Sequence, residues 1–302
     1  MLYLGGSGRS GTTLIARVIG QLPGYVAVGE VREIWRERSG RRRRRLCGCG
    51  RPFDECPFWQ RVGDEAFGGW STVDRESVEE MVSALNWRGA LGQLRPGADR
   101  GPALPPPLAE LLSRLYAGIT AAAGNRTIVD TSKGPPYGVA LSLVGPIDLR
   151  AVQVVRDIRG ITYSWCKEVK QPATLRGRAR SHKLAAVASS RWLVHNSVME
   201  ILRRRVPSAE LRYERFVSDA RTELMRVMGD LGVPVRSDQL EFLSETSVTL
   251  GVDHTLEGND NRHAIGEVPL RVDDAWRRGL PLPLAAQVTA MTWPMLVRYG
   301  YA

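Results

Sequence analysis

The residues best suited to chemistry come first in the chain. Gly5, Gly6, Gly8 and Gly11 punctuate the stretch Leu2-Tyr3-Leu4-Gly5-Gly6-Ser7-Gly8-Arg9-Ser10-Gly11-Thr12-Thr13-Leu14-Ile15. Glycine lets a backbone turn tightly and bring its N–H groups close to an anion. An apolar run enters this turn and an apolar segment of helical period leaves it, the layout of a strand, a phosphate-cradling loop and a helix. The N-terminus of that helix points its partial positive charge at the same anion. Gly6 to Gly11 has the spacing of the triphosphate loop G-x-x-x-x-G-K-S/T, with Thr13 at the hydroxyl position. Thr12 replaces the Lys that would reach the β- and γ-phosphates, and a cation stands instead inside the loop, at Arg9. These changes predict a nucleotide with a shorter anionic tail and no obligatory magnesium. A glycine-rich turn between two core elements is the plainer alternative, and the Arg-Ser-Gly-Thr-Thr core favours the anion.

Further candidates lie where elements begin or end. Glu30 follows Gly29 after a short extended run, Tyr25 to Val28, and precedes a helical segment, Val31 to Trp35. A carboxylate there is either a base or a helix-start carboxylate favoured by the dipole. Asp130-Thr131-Ser132-Lys133 follows the strand candidate Thr127 to Val129 and precedes Gly134-Pro135-Pro136. Open α/β sheets place ligand contacts at such strand ends, and Lys133 is one of only four lysines. Arg156 ends the apolar strand Leu149 to Val155, and Ser164 lies two turns into the helix that follows. A guanidinium fork and a hydroxyl can both face a phosphate; the alternative pairs Arg156 with Asp157 or another surface acid.

Cys47-Gly48-Cys49 followed by Cys56 could form part of a zinc site, but such a site needs four ligands and no His is near in sequence. A disulfide between two of the three, or a compact loop of buried thiols beside Phe58 and Trp59, are the other readings. Arg41 to Arg45 are five consecutive arginines. A nucleic-acid patch or a groove for an acidic acceptor is conceivable there. A solvated loop is favoured, because like charges self-repel and no aromatics interleave for stacking.

These groups need a frame. The chain has 302 residues, 43% of them hydrophobic, enough for one large α/β domain over 1–302. Repeated strand-then-helix units predict a mainly parallel sheet with helices on both faces, a three-layer P-loop-like fold. Helical patterns run over Leu14–Leu22, Val78–Leu85, Leu108–Ile119, Ser181–Arg203 and Thr222–Leu231. Glu210 to Glu214 reads as a strand ending, 254–279 as a polar loop with His254, Gly258, Asn259 and Arg262, and Val288–Tyr301 as a terminal helix packing Trp293, Leu296 and Tyr299. Residues 60–125 say least and read as an insertion shaping the acceptor site. No run is long and apolar enough to span a membrane, and no basic leader precedes the first strand, so a cytoplasmic bacterial-type enzyme is expected. The net charge of +10 and pI of about 9.9 suit a polyanionic ligand or nucleic acid and do not choose between them.

Taken together the motifs resemble those of sulfotransferases that use 3′-phosphoadenosine-5′-phosphosulfate (PAPS). Gly8-Arg9-Ser10-Gly11-Thr12-Thr13-Leu14 is similar to their 5′-phosphosulfate loop. Arg156 through Ser164 resembles their 3′-phosphate motif, in the family's order and spacing. Gly29-Glu30-Val31-Arg32 resembles the Gly-Glu-x-Arg stretch of tyrosylprotein-type members, whose Glu is the base. Similarity continues at Asp130–Lys133, Trp192, Asn196, Tyr213-Glu214 and His254–Arg262, and the Cys47–Trp59 stretch resembles one in bacterial members. Cytosolic aryl members carry Lys in the first loop and a His base near Asp130–Lys133; this chain has Arg9 and no His there, which shifts the base to Glu30. Tyrosylprotein enzymes are membrane proteins of the secretory pathway, so their peptide substrate is not carried over.

The resemblance implies PAPS as co-substrate with no metal, and a small-molecule, carbohydrate or lipid hydroxyl as acceptor. Arg9 and Lys133 would meet the charge on the leaving oxygen, Arg156 and Ser164 would bind the 3′-phosphate, and Tyr213 and Arg262 are further nucleotide candidates. Glu30 would take the acceptor proton. An ATP-dependent kinase is the rival enzyme, opposed by Thr12 in the Lys position; a basic nucleic-acid-binding protein is the rival non-enzyme.

Overall fold

The apolar run after Met1 becomes β1 (Leu2–Gly6), buried along its whole length. Strands covered on both faces are apolar throughout rather than alternating. In the computed structural model, which describes residues 1–36, 45–93, 104–168 and 175–302, β1 is the middle strand of a five-stranded sheet. Its companions are β2 (Tyr25–Gly29), β3 (Thr127–Lys133), β4 (Arg150–Val155) and β5 (Ser208–Arg212), in the order β2-β3-β1-β4-β5 and all parallel. The chain passes from β1 to β2 on one side and from β3 to β4 on the other. Ligand crevices of open α/β sheets form outside the carboxyl ends of the strands at such a switch.

The helices are α1 (Thr12–Ile19), α2 (Pro57–Phe67), α3 (Arg75–Ser83), α4 (Trp87–Gln93), α5 (Pro106–Ala122), α6 (Pro135–Ser142), α7 (Ile158–Glu168), α8 (Leu175–Leu202), α9 (Tyr213–Ser218), α10 (Ala220–Asp230), α11 (Trp276–Gly279) and α12 (Leu282–Arg298). Because side chains alternate along a strand, β1 sends Tyr3 to one face and Leu2 and Leu4 to the other. Tyr3 joins a core with Trp59 of α2, Leu112 of α5, Leu141 of α6 and Met199 of α8. Leu2 and Leu4 join Ile15 of α1, Phe216 of α9 and Leu224 of α10. A third cluster ties Val155 and Ile158 to Trp192 of α8 and Val288 of α12. The result is the expected three-layer α/β fold.

Three local expectations change. Residues 254–279 are not all loop: β7 (Gly266–Pro269) pairs antiparallel with β6 (Ser247–Leu250), a short, half-exposed strand whose Gly, Glu and Pro hid it. Trp293 does not pack inside; it is 52% exposed. The buried stripe of α12 runs Leu284, Val288, Thr292, Leu296 at helical spacing, and Trp293 falls one position off it. β3 continues past Val129, so Asp130, Thr131 and Ser132 are buried strand residues. Among the described residues no helix is long and apolar enough to cross a membrane. Arg41–Arg44 lie outside the described residues.

Candidate active site

β1 delivers the glycine loop to the carboxyl edge of the sheet, and α1 leaves it. Gly11 caps α1 with φ 88, and a Cβ there would stand 2.3 Å from the Tyr213 ring, so the position admits only glycine. No side chain caps the helix and no acid occupies its first turn. The unpaired first-turn amides and the dipole therefore favour an external anion. A cavity of about 640 Å³ opens at this place, and Gly8, Arg9, Gly11, Thr12, Thr13, Glu30, Lys133, Arg156, Ser164 and Tyr213 all line it. Ser10 and Arg262 do not. Ser10 is buried beneath the loop against Gly6. Arg262 turns its guanidinium toward the carbonyls of Gly258 and Asn259.

The cations of the cavity are held by specific partners. Arg156 lies 4.5 Å over the Tyr213 ring, donates to the Arg9 carbonyl at 2.8 Å, and pairs with Asp273 at 2.7 Å. The acid opposite it is thus Asp273; Asp157 is taken by Arg159. Lys133 donates through Nζ to Glu30 Oε1. Arg9, Lys133 and Glu257 carry positive φ of 70, 49 and 57, and all three line the cavity. Such backbone costs on the order of 1–3 kcal/mol per residue and concentrates at functional sites.

Glu30 is positioned by its neighbours in sequence and by a distant strap. Gly29 has φ 80 and packs so closely that a Cβ would stand 2.2 Å from the Leu256 carbonyl oxygen. The Glu30 amide donates to that same carbonyl at 2.8 Å. The strap continues over the glycine loop, where the Asn259 amide donates to Thr13 Oγ1 at 3.3 Å. Arg17 of α1, fully buried, anchors it through Asp253 and the carbonyls of Gly251 and Asn261. Arg45 pairs with Glu257 at 3.0 Å, so this member of the arginine run is structural. Burial raises the Glu30 carboxyl above its ordinary range, with the Lys133 charge opposing. A raised carboxyl is a better base once ionised.

A second cavity, about 880 Å³, adjoins the first and shares Gly8, Glu30, Glu33, Arg36, Lys133 and Trp165 with it. Its own walls are mostly apolar: Leu85 and Trp87, Pro135 and Pro136, and Leu184, Val187, Ala188, Val194 and Val198 of α8. His195 also lines it; burial lowers its pKa and its Nδ1 has no partner. Of the stretch 60–125, only Leu85, Asn86 and Trp87 reach this cavity among the described residues. Asp130 turns the other way, into the core, where it accepts from the Tyr116 hydroxyl and the Ser132 amide; burial raises its carboxyl to about 6.

Sequence reasoning missed Asp273, Arg17, Glu257 and the α8 wall. None carries a local motif: each matters through a contact made across more than a hundred residues or as one of many apolar positions. His254 stands out in the sequence as part of a polar loop and of the resembling stretch His254–Arg262, with no link to the cysteines.

No protein-family model matches the sequence, and none of the curated proteins does. Among solved structures, sulfotransferase STF9 from Mycobacterium avium aligns over 98% of this chain and 76% of its own, with a TM-score of 0.50 at 12% identity. The chain shares the fold of this sulfotransferase. The sulfotransferase domain of the Synechococcus PCC 7002 olefin synthase aligns over 98% and 94% of the two chains, with TM-score 0.47 at 18% identity. The sulfotransferase domain of the curacin biosynthetic pathway aligns over 98% and 96%, with TM-score 0.49 at 15% identity.

Proposed function

We propose that the protein is an O-sulfotransferase that moves the sulfuryl group of PAPS to a hydroxyl of a small-molecule, carbohydrate or lipid acceptor, with Glu30 as general base. The observation that carries this reading is the Glu30–Lys133 pair, shared by a polar cavity and an apolar one. A two-substrate transfer needs its base and its leaving-group cation at such a junction. The polar cavity suits the donor: an uncapped helix N-terminus, the loop amides and Arg9 for the 5′ end, and Arg156 with Ser164 for the 3′-phosphate. PAPS supplies an activated sulfuryl group whose departure leaves charge on a bridging oxygen.

The chain's own residues do the rest. Arg9 and Lys133 stabilise the developing charge, which is worth most in a water-poor site. Glu30 takes the hydroxyl proton, aided by burial. The apolar walls of the second cavity orient the acceptor and exclude water as a competing nucleophile. Thr12 leaves the γ-phosphate of ATP without its usual cation, which disfavours a kinase.

Thermal-shift titrations test the assignment. Adenosine 3′,5′-bisphosphate at about 100 times its dissociation constant stabilises the protein by about 2.7 kcal/mol, whereas ATP with magnesium and an oligonucleotide do not. Stabilisation by ATP without stabilisation by the bisphosphate would overturn the reading.

A further inference from the structure

Cys47, Cys49 and Cys56 share one neighbour that the sequence places 198 residues beyond Cys56: His254. The four candidate ligand atoms lie within 4.8 Å of one another. Cys47 and Cys49 Sγ are each 3.7 Å from Cys56 Sγ, and His254 Nδ1 is 3.6 Å from Cys47 Sγ and 3.3 Å from Cys56 Sγ. A tetrahedral zinc with Zn–S near 2.3 Å and Zn–N near 2.0–2.1 Å has S–S edges of about 3.8 Å and S–N edges of about 3.5 Å. These four separations lie close to such edges, and none of the cysteines is disulfide-bonded. We propose that Cys47, Cys49, Cys56 and His254 form a structural zinc site, against the expectation of a metal-free chain.

The ligands are fixed from outside the cluster. The His254 ring stacks on Phe58 at 4.7 Å and 7°, and its carbonyl accepts from Trp59 Nε1 at 3.0 Å. The Gly48 amide donates to the Thr255 carbonyl at 2.9 Å. With all four positions filled by protein, the metal has no open site and does no chemistry. Its place in the fold gives it a task. His254 lies two residues before Leu256, which bridges to both Gly29 and Cys47 and holds the Glu30 amide. Zinc would pin the strap of residues 254–262 to the edge of the sheet, beside the base and over the glycine loop. Three thiolates and an imidazole suit zinc better than magnesium or calcium.

The test is elemental analysis of the full chain purified from zinc-containing medium without chelators. One zinc per chain is expected, together with the charge-transfer and visible bands of a tetrahedral thiolate site when cobalt(II) replaces it. Cys49→Ser, at a half-buried ligand, should lower bound zinc more than about tenfold, while Cys166→Ser, outside the cluster, retains it. The proposal is overturned if the chain neither carries zinc nor takes up added zinc in competition with a chromophoric chelator. A disulfide among the three cysteines, or equal zinc in both variants, would overturn it too.

Discussion

Two carboxylates lie close to the same edge of the sheet, Glu30 half-buried and Asp130 fully buried, and loss of solvent raises both. Glu30 faces Lys133 and opens on two cavities. Asp130 faces Tyr116, the Ser132 amide and apolar core, and lines neither cavity. The comparison shows that a perturbed carboxyl alone does not mark a catalytic group. Access to a substrate-sized space and a cation paired with the carboxylate distinguish the two. We therefore propose Glu30 as the functional carboxylate, while Asp130 holds the end of β3 against Tyr116 of α5.

The largest expected effect separates them most sharply. Glu30→Gln should lower turnover on the order of 100- to 10,000-fold while titrations show unchanged affinity for adenosine 3′,5′-bisphosphate. A fully active variant would erase the distinction. On the proposed role, the same carboxyl should set the acid limb of the pH–rate profile. Activity rises with pH as Glu30 ionises, and its limb lies above that of an ordinary glutamate because burial raises it. Lys133→Met removes the charge that opposes this, so the limb should move to still higher pH, with lower turnover.

Asp130 should behave in the opposite manner. Its carboxyl titrates at about 6 in the folded chain against an ordinary 3.8. Between those values the folded protein binds a proton that the unfolded chain releases, so this group's contribution to stability falls as pH rises. Two pH units correspond to on the order of 3 kcal/mol. Asp130→Asn has no proton to bind, so its stability relative to wild type should rise by about that amount between about pH 3 and pH 7, with activity little changed. Denaturant unfolding at several pH values checks this, and parallel curves would refute it.

Asp273 offers the smallest effect. It pairs with Arg156, so it would compete with a phosphate bound there, and is 45% exposed at its side chain. Exposed pairs are worth about 0.2–1 kcal/mol, so Asp273→Asn should tighten bisphosphate binding by about one-and-a-half to fivefold in a calorimetric titration. Weaker binding would mean that Asp273 helps the ligand rather than competing with it.

The sequence made the glycine loop, the parallel sheet and most of the first cavity legible, because anion contacts need particular donors at fixed spacing. Arg9, Thr12, Arg156 and Ser164 stand beside the glycines or strand ends that announce them. Asp130 and Lys133 share one motif, yet only the structure shows that strand alternation and the turn at Lys133 send them apart. The wall of α8 was illegible because any apolar residue can build it. His254 could not be joined to the cysteines, since the strap that brings it there is defined by backbone contacts to Gly29 and Cys47.

The central claim is that Arg156 reads a 3′-phosphate in the cavity above the glycine loop. Titrating wild type and Arg156→Ala with adenosine 3′,5′-bisphosphate and with AMP closes a thermodynamic cycle on that contact. The account predicts that wild type prefers the bisphosphate and that Arg156→Ala binds the two alike, with a coupling of about 1.5–3 kcal/mol. Equal preference for the bisphosphate in both proteins, or none in either, would contradict it.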